Sequence, residues 1–294
     1  MRFLKNTSIG FLELRNISFI ISVLLVVSSI VLFITKKPNW GTDFTGGTLV
    51  HVRFDSLPSE FQMRESLSQA GYENAGVQSF RDAEAAIIRV GVTEEGVNAA
   101  KEIENGFSSS FAELNPEILR TEMVGPAVGE YLRERALWAF FLAFAGIILY
   151  VAWRFKGGVW GLSAVIALIH DVIVVFGLMV FLGITIDLVV VAALLTLAGY
   201  SVNDSIVVYD RIRENIKLHY KKPVFEVINM SINETLSRTV ITSGTTLAVV
   251  LALLLRGGEV LHGFSVALFA GIIIGTYSSI FVAAPLVYEK KKKK

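Results

Sequence analysis

Apolar and polar positions follow two different rhythms along this chain. Six long stretches are almost wholly apolar: Ile17–Thr35, Ala136–Trp153, Val159–Leu182, Ile186–Val208, Thr239–Leu255 and Phe264–Tyr288. A helix needs roughly 20 mostly apolar residues to cross the hydrocarbon layer, so each stretch predicts a span. Arg2, Lys5 and Arg15 give the first one the basic flank of a secretory signal. Its apolar run is long, however, and its exit, Ile34-Thr35-Lys36-Lys37-Pro38, lacks small residues for cleavage. It reads as an uncleaved anchor.

Between the first two spans the rhythm shortens. Thr48–Phe54 is rich in β-formers and predicts a strand. Ser59 is placed to cap a helix reaching about Ala70, with Phe61 and Leu67 among its apolar positions. Val77–Arg81 and Ala85–Val92 predict two short strands. Thr93 caps a second helix through Leu114, with Val97, Ala100, Ile103 and Phe107 at helical spacing, and Ile118–Val124 closes the series as a strand. The order β-α-β-β-α-β is the ferredoxin-like arrangement. His51, alone on a strand, reads as a plain structural or surface residue. The expected architecture is a polytopic α-helical membrane protein of six transmembrane helices with an α+β ferredoxin-like (βαββαβ) external domain. Its parts are 1–35 (N-terminus and first span), 36–130 (external domain) and 131–294 (spans two to six, with an internal loop at 209–237 and a basic tail).

Composition agrees with a lipid-embedded chain. Hydrophobic residues make up 53% of the 294 and charged residues 18%, against about 25% charged in soluble domains. The net charge of +1 says little; its distribution fixes orientation. Arg2, Lys5, Arg15, Arg154, Lys156, Arg211, Arg213, Lys217, Lys221, Lys222 and Lys290–Lys294 all fall on one side. The opposite turns carry none at Gly183–Thr185 and only Arg256 before Gly263. Short basic loops stay cytoplasmic, so both termini are expected in the cytoplasm and the long segment after Lys36 outside. Pro223 followed by Val224, Phe225, Val227, Ile228, Met230 and Ile232 suggests an amphipathic helix lying along the interface. The lysine tail reads as solvated and topological, and no nucleic-acid partner is expected. The absence of cysteine excludes disulfides, thiol nucleophiles and cysteine-ligated zinc.

Polar residues inside apolar spans are costly and point to function. The third span carries His170-Asp171; the fourth carries Asn203-Asp204 after Thr196, Gly199, Tyr200 and Ser201, and leaves at Tyr209-Asp210-Arg211. The fifth begins Ser237-Arg238-Thr239 and continues through Thr242, Ser243, Thr245 and Thr246. Asp204 lies five residues, roughly 7–8 Å, from the exit at Tyr209. Arg238 enters from the same side, so an Asp204–Arg238 pair is within geometric reach. Arg238 alone also fits a flanking charge that snorkels to the headgroups. Such a pair suits proton transfer, because a moving guanidinium alters the proton affinity of a carboxylate. In the last span Ala267, Gly271, Gly275 and Ser279 recur every four residues, a stripe for close helix packing.

Gly41-Thr42-Asp43-Phe44-Thr45-Gly46-Gly47 resembles a signature shared by SecD and SecF of the bacterial Sec translocase. Val124-Gly125-Pro126-Ala127-Val128-Gly129 resembles another element of that family, and Gly199–Asn215 is the most specific match, similar to the SecF branch. Leu236-Ser237-Arg238-Thr239 fits as well, so the resemblance spans the chain. It implies a subunit of the bacterial inner membrane that works with SecD and the SecYEG channel on unfolded preproteins, drawing on the proton motive force. YajC and YidC are further partners it implies, with the lipid bilayer as surroundings. It places the proton pathway at Asp204 and Arg238; the polar residues within the spans add Asn203 to that pathway and leave His170 and Asp171 as secondary candidates. Gly41, Asp43, Phe44, Gly46 and Gly47 form the family signature. The transmembrane plan it implies is that of RND-type exporters. No cofactor, metal or catalytic residue is expected, and the chain reads as no enzyme. Two other roles stand beside proton-driven export: a purely structural stabiliser of the SecD–SecYEG assembly, and half of an RND-type small-molecule exporter.

Overall fold

The computed structural model describes residues 7–80, 83–91, 99–155 and 158–292. Arg2, Lys5, Arg81, Val92, the expected cap Thr93, Val97, Lys156, Lys293 and Lys294 lie outside the described residues. The chain forms two compact units, Trp40–Trp138 and Met1–Asn39 with Ala139–Lys294.

In the first unit a short helix α2 (Thr42–Thr45) leads into β1 (Gly47–Arg53), followed by α3 (Glu60–Gln69), β2 (Gly76–Phe80), β3 (Ala85–Val90), α4 (Ala99–Ser110) and β4 (Glu117–Val124). The strands pair antiparallel in the order β2-β3-β1-β4, the ferredoxin-like topology that the element order predicts. Alternate residues of the sheet, Val50, Val52 and Ile88, pack with Met63 and Leu67 of α3 and Ile103 and Phe107 of α4. Ser59 starts α3 through a capping box: its hydroxyl accepts from Gln62 N–H, and the Gln62 side chain accepts from Ser59 N–H at 3.0 Å. Phe61 is 76% exposed and outside this core. Met63 and Leu67, four residues apart, set the buried face, and two residues of helix turn Phe61 about 200° away from Met63.

The second unit is helical. The helices are α1 (Arg15–Thr35), α5 (Pro126–Phe155, begun in the first unit), α6 (Gly158–Leu182), α7 (Leu188–Leu218), α8 (Val224–Arg256) and α9 (Gly258–Ser278). A π turn at Ser279–Ala283 carries α9 into α10 (Ala284–Lys292). Counting α9 to α10 as one, and with the N-terminal turn joined to α1, six helices among the described residues are long and apolar enough to cross a membrane. In α6, α7 and α9–α10, 50%, 56% and 56% of the most apolar window is buried, against 17% in α1 and α8 and 11% in α5. The centre is therefore α6, α7 and α9. Small residues bring its backbones together: a Cβ on Gly271 would stand 2.7 Å from Leu197, and one on Gly275 3.3 Å from Ser201. The stripe in the last span thus packs on α7.

Two features were not legible as expected. The predicted interfacial helix after Pro223 is not a separate element, because α8 runs unbroken from Val224 to Arg256 and only 219–223 separates it from α7. Hydropathy reports where lipid ends, and these helices continue past that point because side chains tie them together. Asn215 Nδ2 donates to Ser231 Oγ at 3.0 Å and to Glu234 Oε2 at 2.6 Å, and Arg211 pairs with Glu234 at 2.6 Å. Ile228 and Ile232 are buried in the main apolar cluster with Tyr209 and Ile212. The N-terminal segment also docks here. A 3-10 turn, Phe11–Leu14, precedes α1. Asn233 accepts from Ile9 N–H and donates to Ile9 C=O, both at 2.9 Å, while Asn229 donates to the same carbonyl at 2.9 Å and accepts from Leu12 N–H at 3.3 Å.

Candidate functional site in the membrane helices

Asp204 lies on α7 and is 7% exposed. Its Oδ1 accepts from Thr239 Oγ1 of α8 at 2.9 Å, and its Oδ2 accepts from Ser279 Oγ of the π turn at 2.6 Å. Both hydroxyls are themselves buried. Neutral dipoles, rather than a counter-ion, surround the carboxylate. Arg238 is exposed and makes no ion pair with Asp204, although it is near enough for its charge to bear on that group. Level and azimuth explain the difference from the expected pair: each helical residue turns about 100°, so when Thr239 faces Asp204 its neighbour Arg238 points elsewhere.

Asn203 is likewise exposed, and with Thr196 and Gly199 it forms an outward stripe on α7 at helical spacing. On α8, Arg238, Thr242 and Thr245 form a matching exposed stripe. Thr196, Thr242 and Thr245 return their hydroxyls to carbonyls of their own helices at 2.8, 3.0 and 2.9 Å. These polar positions sit within helices whose other outward residues are largely apolar, such as Val240, Val249 and Leu251.

His170 and Asp171 are 6% and 0% exposed on α6. The two side chains meet at 2.8 Å through His170 Nδ1 and Asp171 Oδ1, and Asp171 Oδ2 accepts from Ser201 of α7 and, at 2.7 Å, from Ser278 of α9. The sequence marks both carboxylates by their depth in apolar helices. It does not mark Ser201, Ser278 or Ser279 as partners, since serine is ordinary in membrane helices.

The specific stretch ending α7 is a joint between helices. Tyr209 is fully buried, donates to Ser163 Oγ at 2.8 Å and meets Phe155 and Trp160 edge-on, with ring centroids at 5.6 and 5.3 Å. Asp210 pairs with Arg154 of α5, and Arg211 bridges Glu214 and Glu234.

The glycine signature is conformational. Gly46 and Gly47 have φ of 68° and 126°, backbone that favours glycine. A Cβ on Gly47 would fall 2.2 Å from the Val90 carbonyl oxygen. Gly47 pairs with Val124, and a Cβ on Gly129 would stand 2.9 Å from Gly46 N, so the two short signature elements pack together. Phe44 is buried beside Trp40, at 6.0 Å between ring centroids. Gly41 N-caps α2 and Asp43 lies in its first turn. Among the described residues no group of three His, Asp or Glu side chains could hold a metal.

The family described as "Protein export membrane protein SecD/SecF, C-terminal" matches residues 105–293, and the "SecD/SecF GG Motif" matches residues 31–56. "Protein translocase subunit SecF" of Pseudomonas aeruginosa is 41% identical over 280 residues, covering 95% of this chain and 90% of that protein. The protein of the same name from Rickettsia bellii is 41% identical over 302 residues, covering 99% and 97%. The crystal structure of SecDF, a translocon-associated membrane protein from Thermus thermophilus, superposes with a TM-score of 0.88 at 39% identity. It covers 98% of this chain, which spans 39% of that longer one. A SecDF structure in a super-membrane-facing form gives a TM-score of 0.74 at 38% identity, covering 99% of this chain and 40% of that one.

Proposed function

We propose a function for a chain that belongs to the SecD/SecF family of protein export membrane proteins: it is a translocase subunit that promotes protein export by passing protons through Asp204. The observation that carries this reading is the buried carboxylate held by the hydroxyls of Thr239 and Ser279, with Arg238, the chain neighbour of Thr239, on an outward face. A carboxylate so placed lacks the fixed cation that would keep it ionised, and it can bind and release a proton as its surroundings change. Arg238 and Asn203, exposed on α8 and α7, are available to a partner subunit. SecD is the partner we assign to the exposed stripes, a reading supported by the similarity to SecDF structures of which this chain spans 39% and 40%. The site then completes itself across that interface, and Arg238 approaches or leaves Asp204 as the two halves move.

One proton crossing 100 mV releases about 2.3 kcal/mol, enough to bias a conformational equilibrium by well over tenfold. The work falls on the α+β unit, which lies outside the bacterial inner membrane if the basic loops are cytoplasmic, with both termini inside. There it acts on unfolded preprotein emerging from SecYEG; YajC and YidC are accessory partners by family.

A structural role is the second reading, favoured by the same hydroxyls: Thr239 and Ser279 tie α7 to α8 and to the last helix. Asp204→Asn separates the two in membrane vesicles with SecD and SecYEG. Proton passage predicts intact assembly and loss of the gradient-dependent part of export. Retention of that part by Asp204→Asn would sink the proton reading.

A further inference from the structure

The proton reading gives Asp204 a task but leaves the second buried carboxylate, Asp171, without one. Three groups converge on it: His170 Nδ1 at 2.8 Å, and the donating hydroxyls of Ser278, at 2.7 Å, and Ser201. The groups facing the pair from the packed helices are uncharged. From α9 comes Tyr277, its ring 6.3 Å from that of His170 and its hydroxyl bonded to Ser22 and to the Ser18 carbonyl of α1. From α7 comes Ser201, and from α9 Ser278.

A net charge fully enclosed in a membrane bundle costs several kcal/mol. The neutral arrangement of this pair carries one proton more than a neutral imidazole beside a carboxylate, and that proton rests on either the imidazole or the carboxyl group. His170 Nε2 is buried and, among the described residues, has no hydrogen-bond partner. It is a position where a proton can arrive or leave without breaking an existing bond. The pair is therefore built to hold a proton and has an open nitrogen through which to exchange it.

Its connection to Asp204 is short. Ser278, which donates to Asp171, and Ser279, which donates to Asp204, are consecutive residues where α9 enters the π turn. Ser201, the other hydroxyl donor to Asp171, sits one turn before Asp204 on α7. π turns concentrate at functional positions in helices. A small rotation of this turn alters the hydroxyl supply at both carboxylates together.

We propose that His170 and Asp171 form a second proton-binding site, coupled to Asp204 through Ser278 and Ser279. It rests on the reading of Asp204 as a proton carrier. When Asp204 is protonated, Ser279 loses its charged acceptor and the turn shifts. Ser278 moves with it, and the proton held by His170 and Asp171 becomes easier to release. The transfers are of protons alone, between nitrogen, carboxyl oxygen and water.

The test uses vesicles containing the full chain with SecD and SecYEG, comparing Asp171→Asn, His170→Gln and Asp204→Asn with the unsubstituted protein. Gradient-dependent export is followed against pH, assembly by co-purification with SecD, and the His170 ring nitrogens by nitrogen-15 resonance. Asp171→Asn is expected to assemble and lose gradient-dependent export. His170→Gln is expected to retain part of it with a displaced pH profile, and Asp204→Asn to shift the His170 ring signals. If both α6 variants export with the unaltered pH profile while Asp204→Asn fails, the second site is refuted and the Asp204 reading stands. If Asp204→Asn exports normally, the underlying reading falls first. Loss of assembly in Asp171→Asn leaves the decision to His170→Gln, for which an unchanged pH profile again overturns the proposal.

Discussion

In the α+β unit the interior is Val50, Val52, Met63, Leu67, Ile88, Ile103 and Phe107, and polar groups do their work at turns and caps such as Ser59 with Gln62. In the helical unit Ile17, Leu24, Phe141, Leu149 and Val249 face outward, while Asp171, Ser201, Asp204, Thr239, Ser278 and Ser279 are buried. The contrast follows from the surroundings. Water drives apolar groups inward in the first unit, whereas lipid gives the helices of the second no such drive, so close packing and hydrogen bonds hold them. A buried polar group is an exception in one unit and a principal means of cohesion in the other. That is why the carboxylates of the helical unit stand out as chemistry only when their partners are seen.

The contrast can be broken at its joints. Gly47→Ala should have the largest effect, about 3 kcal/mol, since it places a Cβ against the Val90 carbonyl at a positive φ. Hydrogen exchange of the β1 amides should then accelerate while the α6 and α7 amides keep their protection; equal acceleration in both would show that the units do not unfold separately. Gly177→Ala tests packing in the helical unit. The new Cβ would stand 2.2 Å from Ser29 Oγ and 2.7 Å from its Cα, so α1 must move from α6 at about 2 kcal/mol. Denaturant unfolding of the solubilised protein measures it, and an unchanged midpoint would show that lipid-facing α1 gives way freely. Ser59→Ala sharpens the smallest difference, a cap in water, at about 1 kcal/mol. Thermal unfolding followed in the α+β unit should show it.

Much of this was readable from the chain because length and periodicity encode it directly. The spans follow from apolar runs, and the ferredoxin-like order from alternating strand and helix signals confirmed by the strand order. Azimuth was not readable. Asp204 and Arg238 were matched by depth, but the 100° step per residue gives the carboxylate to Thr239 instead. Helix continuity past the lipid was hidden too, because Arg211, Asn215, Ser231 and Glu234 look like loop polarity until they are seen bonded across α7 and α8. The amides Asn229 and Asn233 carried a faint signal, two asparagines one turn apart on an apolar helix, yet nothing nearby named the N-terminal strand of backbone they hold.

That last contact has a consequence for how the protein is made. Ile9 is bonded to Asn229 and Asn233, 220 and 224 residues later, and Arg15 pairs with Glu289 at 3.2 Å. At roughly 5–20 residues per second of synthesis, the opening segment waits roughly ten to forty seconds before its amide partners exist. Through that interval the backbone at Ile9 and Leu12 is without the amides that it bonds in the folded chain. Docking of the beginning onto α8 is thus among the late events of the molecule's assembly, and a ribosome halted before Asn229 would leave it undone.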